Sequence, residues 1–433
     1  MSTDKSLRQL AYDVLYEVLE EGSFIHQVLG AMLAKYQYLS KQERSFLTRL
    51  CVGCTEYALM LDAVLDAYSR TPVKKMKPQI RTILRMGAYQ ILFMEGVPDS
   101  AACNEAVKLA GKKGFQGLKG FVNGVLRTVA REKERLPLPE RAEDPVRYLA
   151  VRESFPEWLV RYWCEWLGEE KTEEILKSSH GAPALHVVVN TAKTDAKKLA
   201  EDLAACGCTY VPDEDLPDAG CILGVDHLAG LAPFVRGDFF VQDHSCTRAV
   251  YASGITPGDT VVDLCAAPGG KSALAALLTG PRGLVSARDL TEEKCSRIRE
   301  NMERLGLGQV SVKAWDARVP DPQMPDGHKV ILADLPCSGL GVIRRKHDIK
   351  YHASPEGIRS LQSLQREILK TAAAYCAPGD VILYSTCTVT REENEENAAW
   401  FVREFPFTQE CAEQIFAGAA ADGFFYARFR REA

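Results

Sequence analysis

The sequence predicts a multidomain chain: an all-α domain over residues 1–140, a small α+β module over 141–235, and an α/β domain with a parallel sheet over 236–433. Three observations predict it. Residues 1 to about 135 carry apolar side chains at helical spacing with few strand signals. A proline-broken stretch follows. From about residue 258, apolar strands alternate with helical segments, the pattern of a parallel sheet covered on both faces.

In the first part, Leu7, Leu10, Ala11, Val14, Leu15 and Val18 recur every three or four residues, and Tyr57, Leu61, Val64, Leu65 and Tyr68 repeat the pattern. Two stretches are basic without acids. Lys74, Lys75, Lys77, Arg81 and Arg85 lie in an acid-free run from 71 to 90, and Lys108, Lys112, Lys113, Lys119, Arg127 and Arg131 in another from 106 to 131. Either is a solvated helical face or a surface that contacts phosphates; Lys74, Lys75, Lys112 and Lys113 are the candidates for the second reading. Cys51 and Cys54 form a lone CxxC inside a helical pattern, with no second ligand pair, and are expected on a buried helix face and not at a zinc site.

Pro137 and Pro139 mark a linker. Trp158, Leu159, Tyr162, Trp163 and Trp166 then form an aromatic helical stripe expected to pack as core. The module that follows reads as strand (185–190), helix (195–205) and strand (221–225). In the last part five strands are expected, over 260–265, 284–288, 310–314, 329–335 and 380–386, joined by crossover helices. Ligands of such sheets bind beyond the carboxyl ends of the strands.

The composition sets limits. With 46% hydrophobic and 26% charged residues the chain is neither fibrous nor disordered. The net charge of −5 argues against a uniformly basic coat, but residues 1–150 hold 22 basic and 17 acidic residues, so the positive excess is confined to the helical part. Fourteen cysteines are too sparse and irregular for a disulfide-stapled secreted scaffold. The start has no signal-peptide pattern, and no apolar run approaches the roughly 18 residues that cross a bilayer. A cytoplasmic protein with free thiols is expected.

The first strand of the α/β domain runs into Asp263-Leu-Cys-Ala-Ala-Pro-Gly-Gly-Lys-Ser272. Gly270-Lys271-Ser272 fits the end of a phosphate loop, but Cys265 stands where its first glycine belongs, and the dinucleotide pattern GxGxxG is absent. What remains is a tight acidic turn for a cofactor without a phosphate chain. Asp289 ends the second strand, where a carboxylate can bind ribose hydroxyls, and Asp316 follows the third, near a base edge. Each alone is equally a helix cap; together with the glycine turn they point to a nucleoside cofactor. Cys337, after Asp334-Leu-Pro, and Cys387, after Tyr384-Ser-Thr, end the fourth and fifth strands. Adjacent strands lie about 4.8 Å apart, so if these two are neighbours both thiols open into the cofactor crevice, as covalent catalysis would need.

CAAPGGKS, DLPCSGLG and YSTCT together resemble the Sun family of RNA cytosine-C5 methyltransferases, which use S-adenosylmethionine. Residues 80–127 resemble the NusB-like helical domain found in front of the catalytic domain in members that act on small-subunit ribosomal RNA. FVQDHS (240–245), GVIRRKHDIKY (341–351) and GFFYARFRR (423–431) also fall where the family has related segments, so nearly the whole chain is covered. The pattern departs at Thr388, where serine is usual, at Lys346-His347-Asp348, where His-Pro-Asp is usual, and at Val188, often arginine.

The resemblance implies a NusB-like RNA-binding domain, a small RNA-contacting module and a Rossmann-like class I methyltransferase domain. It implies Cys387 as the nucleophile that adds to C6 of cytosine, Cys337 as the group that helps the adduct break down, and Asp334 as the residue that holds the base. Lys271 either lowers a thiol's pKa or holds the base's carbonyl. Cys265, Ala266, Ala267, Pro268, Gly269, Gly270 and Lys271 would hold the methionine part of S-adenosylmethionine, Asp289 its ribose and Asp316 its adenine, with Asp334 beside them. Arg344 and Arg345 join the lysines as RNA contacts. The expected substrate is 16S ribosomal RNA, naked or early in assembly, and the expected enzyme is a monomer without metal or membrane attachment. Two alternatives stay open: the same chemistry on another nucleic acid, and a non-catalytic NusB-like RNA-binding factor.

Overall fold

The structure, a computed structural model, describes residues 5–324, 330–418 and 421–433; Lys329, at the start of one expected strand, lies outside them. The chain divides into two compact units. One contains residues up to 181 together with 343–352, and the other contains 182–342 and 353–433.

The first unit is helical, as its apolar spacing requires. Seven helices over Leu7–Leu19, Ile25–Lys35, Lys41–Glu56, Ala58–Tyr68, Pro78–Phe93, Asp99–Lys112 and Lys119–Glu132 share one apolar core. Local chemistry sets several ends: Ser40 and Glu43 form a reciprocal cap, and Pro78 begins a helix where its missing N–H costs nothing. Cys51 and Cys54 face the core, fully buried. After the proline linker come helices over Pro145–Arg152, Glu157–Leu167 and Glu169–Ser178. Of the aromatic stripe, Trp163 is wholly buried. Residues 343–352, from the far side of the sequence, pack into this same unit. The amide of Ile25 donates to Asp348 Oδ2 at 2.7 Å, and Lys350 Nζ donates to the carbonyl of Glu56 at 2.8 Å.

The second unit holds two sheets. β1 (Leu185–Val189), β2 (Thr209–Pro212), β3 (Ala219–Leu223) and β4 (Phe239–Val241) form an antiparallel sheet in the order β2-β3-β1-β4, with a helix over Ala196–Ala205 whose first turn is capped by Asp195. β2 and β4 are additions to the expected strand, helix and strand. Both are short, which weakens their alternating signal; β2 is also largely exposed, whereas Phe239 and Phe240 of β4 are buried.

The larger sheet contains β5 (Thr260–Asp263), β6 (Leu284–Asp289), β7 (Val310–Ala314), β8 (Val330–Asp334), β9 (Val381–Thr386), β10 (Phe407–Ile415) and β11 (Phe424–Arg431). Its order is β10-β11-β9-β8-β5-β6-β7. The five expected strands pair in parallel, while β11 runs antiparallel beside β9 and β10 beside β11, so the sheet is mixed. The β5–β8 pairing is where the strand order reverses, the position at which such sheets open a crevice. In register, Asp334 lies opposite Ser385. Cys337 and Cys387 therefore leave neighbouring strands at the same end.

Candidate active site

The turn after β5 is shaped for close approach. Gly269 sits at φ +106°, open to glycine and strained for other residues, and begins the helix Gly270–Thr279. A Cβ on Gly270 would come 2.6 Å from Gln242 Oε1. Cys265, Ala266, Ala267, Pro268, Gly270 and Lys271 line a cavity of about 180 Å³. Its other wall brings Asp263 and Asp334 from strand ends, Gln242 and Asp243 from the FVQDHS segment, and Cys246 just after it. Gln242 Oε1 and Asp263 Oδ1 are buried there without a hydrogen-bond partner among the described residues. Burial pushes the Asp263 carboxyl up to about 7 against the bond it accepts from Ser272 Oγ at 2.6 Å. Two unsatisfied acceptors facing a small cavity suit a ligand that presents N–H or O–H donors, such as the ammonium group of an amino acid.

Deeper at the strand ends, Lys271 Nζ donates to Asp334 Oδ2 at 2.7 Å, and Ser385 Oγ donates to Oδ1 at 2.8 Å. Both carboxylate oxygens are thus oriented. Burial opposes a charge on Lys271, but Asp334 outweighs it and holds the ammonium above its ordinary pKa. This cation also lies 5.4 Å from the centre of the Phe424 ring. The sulfurs of Cys337 and Cys387 are 3.3 Å apart. The hydrogen bond with Cys387, and then burial, push the Cys337 thiol well above its usual value. The loops carrying the two cysteines meet through backbone: Gly341 N donates to the carbonyl of Cys387 at 3.0 Å, and Gly423 N donates to that of Gly341 at 2.8 Å.

Models of known families match along the chain: the NusB family over residues 5–131, the RsmF/B-like ferredoxin-like domain over 155–224, and the 16S rRNA methyltransferase RsmB/F family over 251–430. A probable ribosomal RNA small subunit methyltransferase B of Bacillus subtilis (strain 168) is 37% identical over 93% of this chain and 89% of its own length. The chain belongs to the RsmB/F methyltransferase family. A ribosomal RNA small subunit methyltransferase B of Klebsiella pneumoniae is 31% identical over 99% of both chains. In fold, a methyltransferase homolog from Pyrococcus horikoshii is similar over 66% of this chain and 99% of its own, with a TM-score of 0.58 and 22% identity. The RsmB/F family is one of S-adenosylmethionine-dependent RNA methyltransferases, and the protein is an enzyme of that class.

Within this RsmB/F protein the other expected site residues take varied positions. Asp289, ending β6, accepts from the amide of Ala267 at 3.0 Å and from Lys294 Nζ at 2.9 Å, which ties the second strand end to the glycine turn. Asp316 pairs with Arg318 at 2.7 Å. Lys74, Lys75 and Lys112 are exposed. Lys113 is engaged by Asp13 at 2.9 Å and lies over the Tyr12 ring. Arg344 is buried within the helical unit, and Arg345 is partly exposed. Single-residue reasoning missed Gln242, Asp243, Cys246 and Ser385; the FVQDHS resemblance was the available signal for the first two. Among the described residues no group of three His, Cys, Asp or Glu side chains is arranged to hold a metal, and no helix is long and apolar enough to cross a membrane.

Proposed function

We propose that the protein methylates C5 of a cytosine in 16S ribosomal RNA through a covalent bond between Cys387 and C6 of the base. The observation that carries this reading is the pair of cysteine sulfurs 3.3 Å apart, at the ends of adjacent parallel strands and next to the Lys271–Asp334 pair. C5 of cytosine is a poor nucleophile. Addition of the Cys387 thiolate to C6 moves electron density to C5, and loss of the C5 proton and of the thiolate restores the ring. S-adenosylmethionine, when bound, supplies the electrophilic methyl group that C5 takes.

The two sulfurs divide the work. Either sulfur can donate in this contact; in this reading Cys337 donates to a Cys387 thiolate and steadies it before attack. Once Cys387 is bonded to carbon it carries no charge. The hydrogen-bond contribution to the upward shift on Cys337 is then gone while burial still opposes its charge, and in this reading Cys337, once deprotonated, takes the proton on C5. Asp334, with Oδ1 and Oδ2 fixed by Ser385 and Lys271, is oriented to accept from the exocyclic amino group of the base. Lys271 stays cationic beside it and is suited to the base's carbonyl.

For the cofactor, Gln242 and Asp263 would take the ammonium group and the turn from Cys265 to Lys271 the methionine part. Asp289 would face the ribose and Asp316 the adenine. Residues 1–140 would serve as the NusB-like RNA-binding module, 141–235 as an RNA-contacting module and 236–433 as the catalytic domain, in a cytoplasmic monomer. Exposed Lys74, Lys75 and Lys112, with Arg345, are the proposed phosphate contacts. A paired target cytosine would have to be extruded at a cost of a few kcal/mol, so unpaired or protein-free RNA is the favoured substrate.

The test is to incubate the enzyme and S-adenosylmethionine with ribosomal and transfer RNA and to map 5-methylcytosine by bisulfite sequencing. One modified cytosine in 16S RNA is expected. Modification confined to transfer RNA would overturn the proposal.

A further inference from the structure

Seven residues beyond β9 the chain places a carboxylate with no part in the chemistry above. Glu393 is fully buried, yet four donors converge on it. Its Oε1 accepts from the backbone amide of Ser338 at 2.9 Å and from Gln365 Nε2 at 3.0 Å. Its Oε2 accepts from the Ser338 hydroxyl and from Thr390 Oγ1 at 2.9 Å. Ser338 directly follows Cys337. Its hydroxyl also lies 2.6 Å from Thr388 Oγ1, which directly follows Cys387 and accepts from the amide of Leu340 at 3.2 Å.

Burial pushes the Glu393 carboxyl above its usual value; with that group ionised, one proton arrangement satisfies this chain. Leu340 N–H donates to Thr388, the Thr388 hydroxyl to Ser338, and the Ser338 hydroxyl to Glu393. It requires a group at the end that accepts from four donors, which a carboxylate does and a neutral amide does not. Each buried donor left unmatched would carry a desolvation penalty, so the arrangement is rigid. It also explains why threonine works at 388, where the family usually has serine: the hydroxyl is what the network uses.

We propose that Glu393 is a positioning residue that clamps the residue after Cys337 to the residue after Cys387 and so sets the distance between the two sulfurs. The proposal rests on the catalytic reading above for its consequence in turnover, but its geometric content stands apart from that reading.

The test uses the full-length enzyme with Glu393→Gln, Ser338→Ala and the double variant, all corrected for folded fraction by thermal melting. Two measurements separate the clamp from a merely structural role. The first is the rate of Cys337–Cys387 disulfide formation with diamide, which accepts the two electrons and two protons that the thiols lose. Glu393→Gln should slow it several-fold as the sulfurs drift apart; a rate equal to that of the wild type would overturn the proposal. The second is turnover at saturating cofactor and RNA. Each single variant should lose about tenfold in kcat, with KM for S-adenosylmethionine within about twofold of the wild type, because the lost bonds face the cysteines and not the cofactor turn. The double variant should be no worse than the weaker single one, since both break one chain of bonds. Losses that multiply would overturn the clamp. If Cys387→Ala instead retained methyl transfer, the catalytic reading would fail, and the disulfide measurement would still decide the clamp.

Discussion

The sulfurs of Cys337 and Cys387 stand 3.3 Å apart although 50 residues separate them, because β8 and β9 pair in parallel with Asp334 opposite Ser385. Two thiols that close share their protons, and this makes their roles separable. Cys387→Ala should abolish methyl transfer. Cys337→Ala should still add to the base and release it slowly, leaving an SDS-resistant protein–RNA band. A band with Cys387→Ala and none with Cys337→Ala would reverse the assignment.

Lys271 and Asp334 are partners in a largely buried pair, so removing one strands the other. Lys271→Met should reduce kcat by about 100-fold and destabilise the catalytic unit by on the order of 2 kcal/mol. The check is steady-state methyl transfer beside a denaturant melt. A variant that melts like the wild type and retains its kcat would remove Lys271 from the site.

Gly341 and Gly423 meet backbone to backbone, which leaves no room for a side chain. A Cβ on Gly341 would lie 1.9 Å from the carbonyl oxygen of Gly423 and 2.9 Å from that of Cys387. Gly341→Ala should therefore cost about 2–4 kcal/mol and most of the activity, whereas Gly308→Ala, with open space around it, should stay within about 0.5 kcal/mol. Equal melting temperatures for the two would contradict the close approach.

Stability of the helical unit should depend on pH through Lys350. Burial pushes this lysine down to about 7, against the attraction of Glu56 and Glu153; His180 and His347 are the other titratable groups around it, and burial lowers His347. Unfolded lysine titrates near 10.4, so between pH 7 and 10 the unfolded chain binds more protons. The contribution is present above the unfolded value and is lost as pH falls through about 7. Lys350→Met lacks this titration. Its Tm relative to the wild type should rise as pH is lowered from 10 to 7, and a difference independent of pH would refute the depressed lysine.

RNA affinity should carry a salt dependence that maps to the basic stretches. Replacing exposed Lys74 and Lys75 by alanine should lower the slope of log affinity against log salt by about 1.5, leaving KM for the cofactor unchanged. Filter binding at several salt concentrations is the measurement. An unaltered slope would move the phosphate contacts elsewhere.

Much of this was legible without a structure. Apolar positions every three or four residues require helices, because nothing else buries that stripe, and short apolar runs between helical segments require a parallel sheet. The order of motifs placed the glycine turn and both cysteines at strand ends before any strand was seen. The antiparallel strands β10 and β11 were not legible as strands: β10 is largely exposed, and its alternation carries little apolar contrast.

What the sequence by itself determined is local: which segments are helix or strand, which turn has the small residues for close approach, and which residue types are chemically able to act. What only the tertiary structure decided is which distant residues share a space. It put Gln242, Asp263 and Asp334 on one cavity, drew residues 343–352 into the helical unit and buried Arg344 there, and joined Glu393 to Ser338. The physical reason is that period and propensity act over a few residues, whereas strand order, register and the satisfaction of buried polar groups are settled by the whole packed chain.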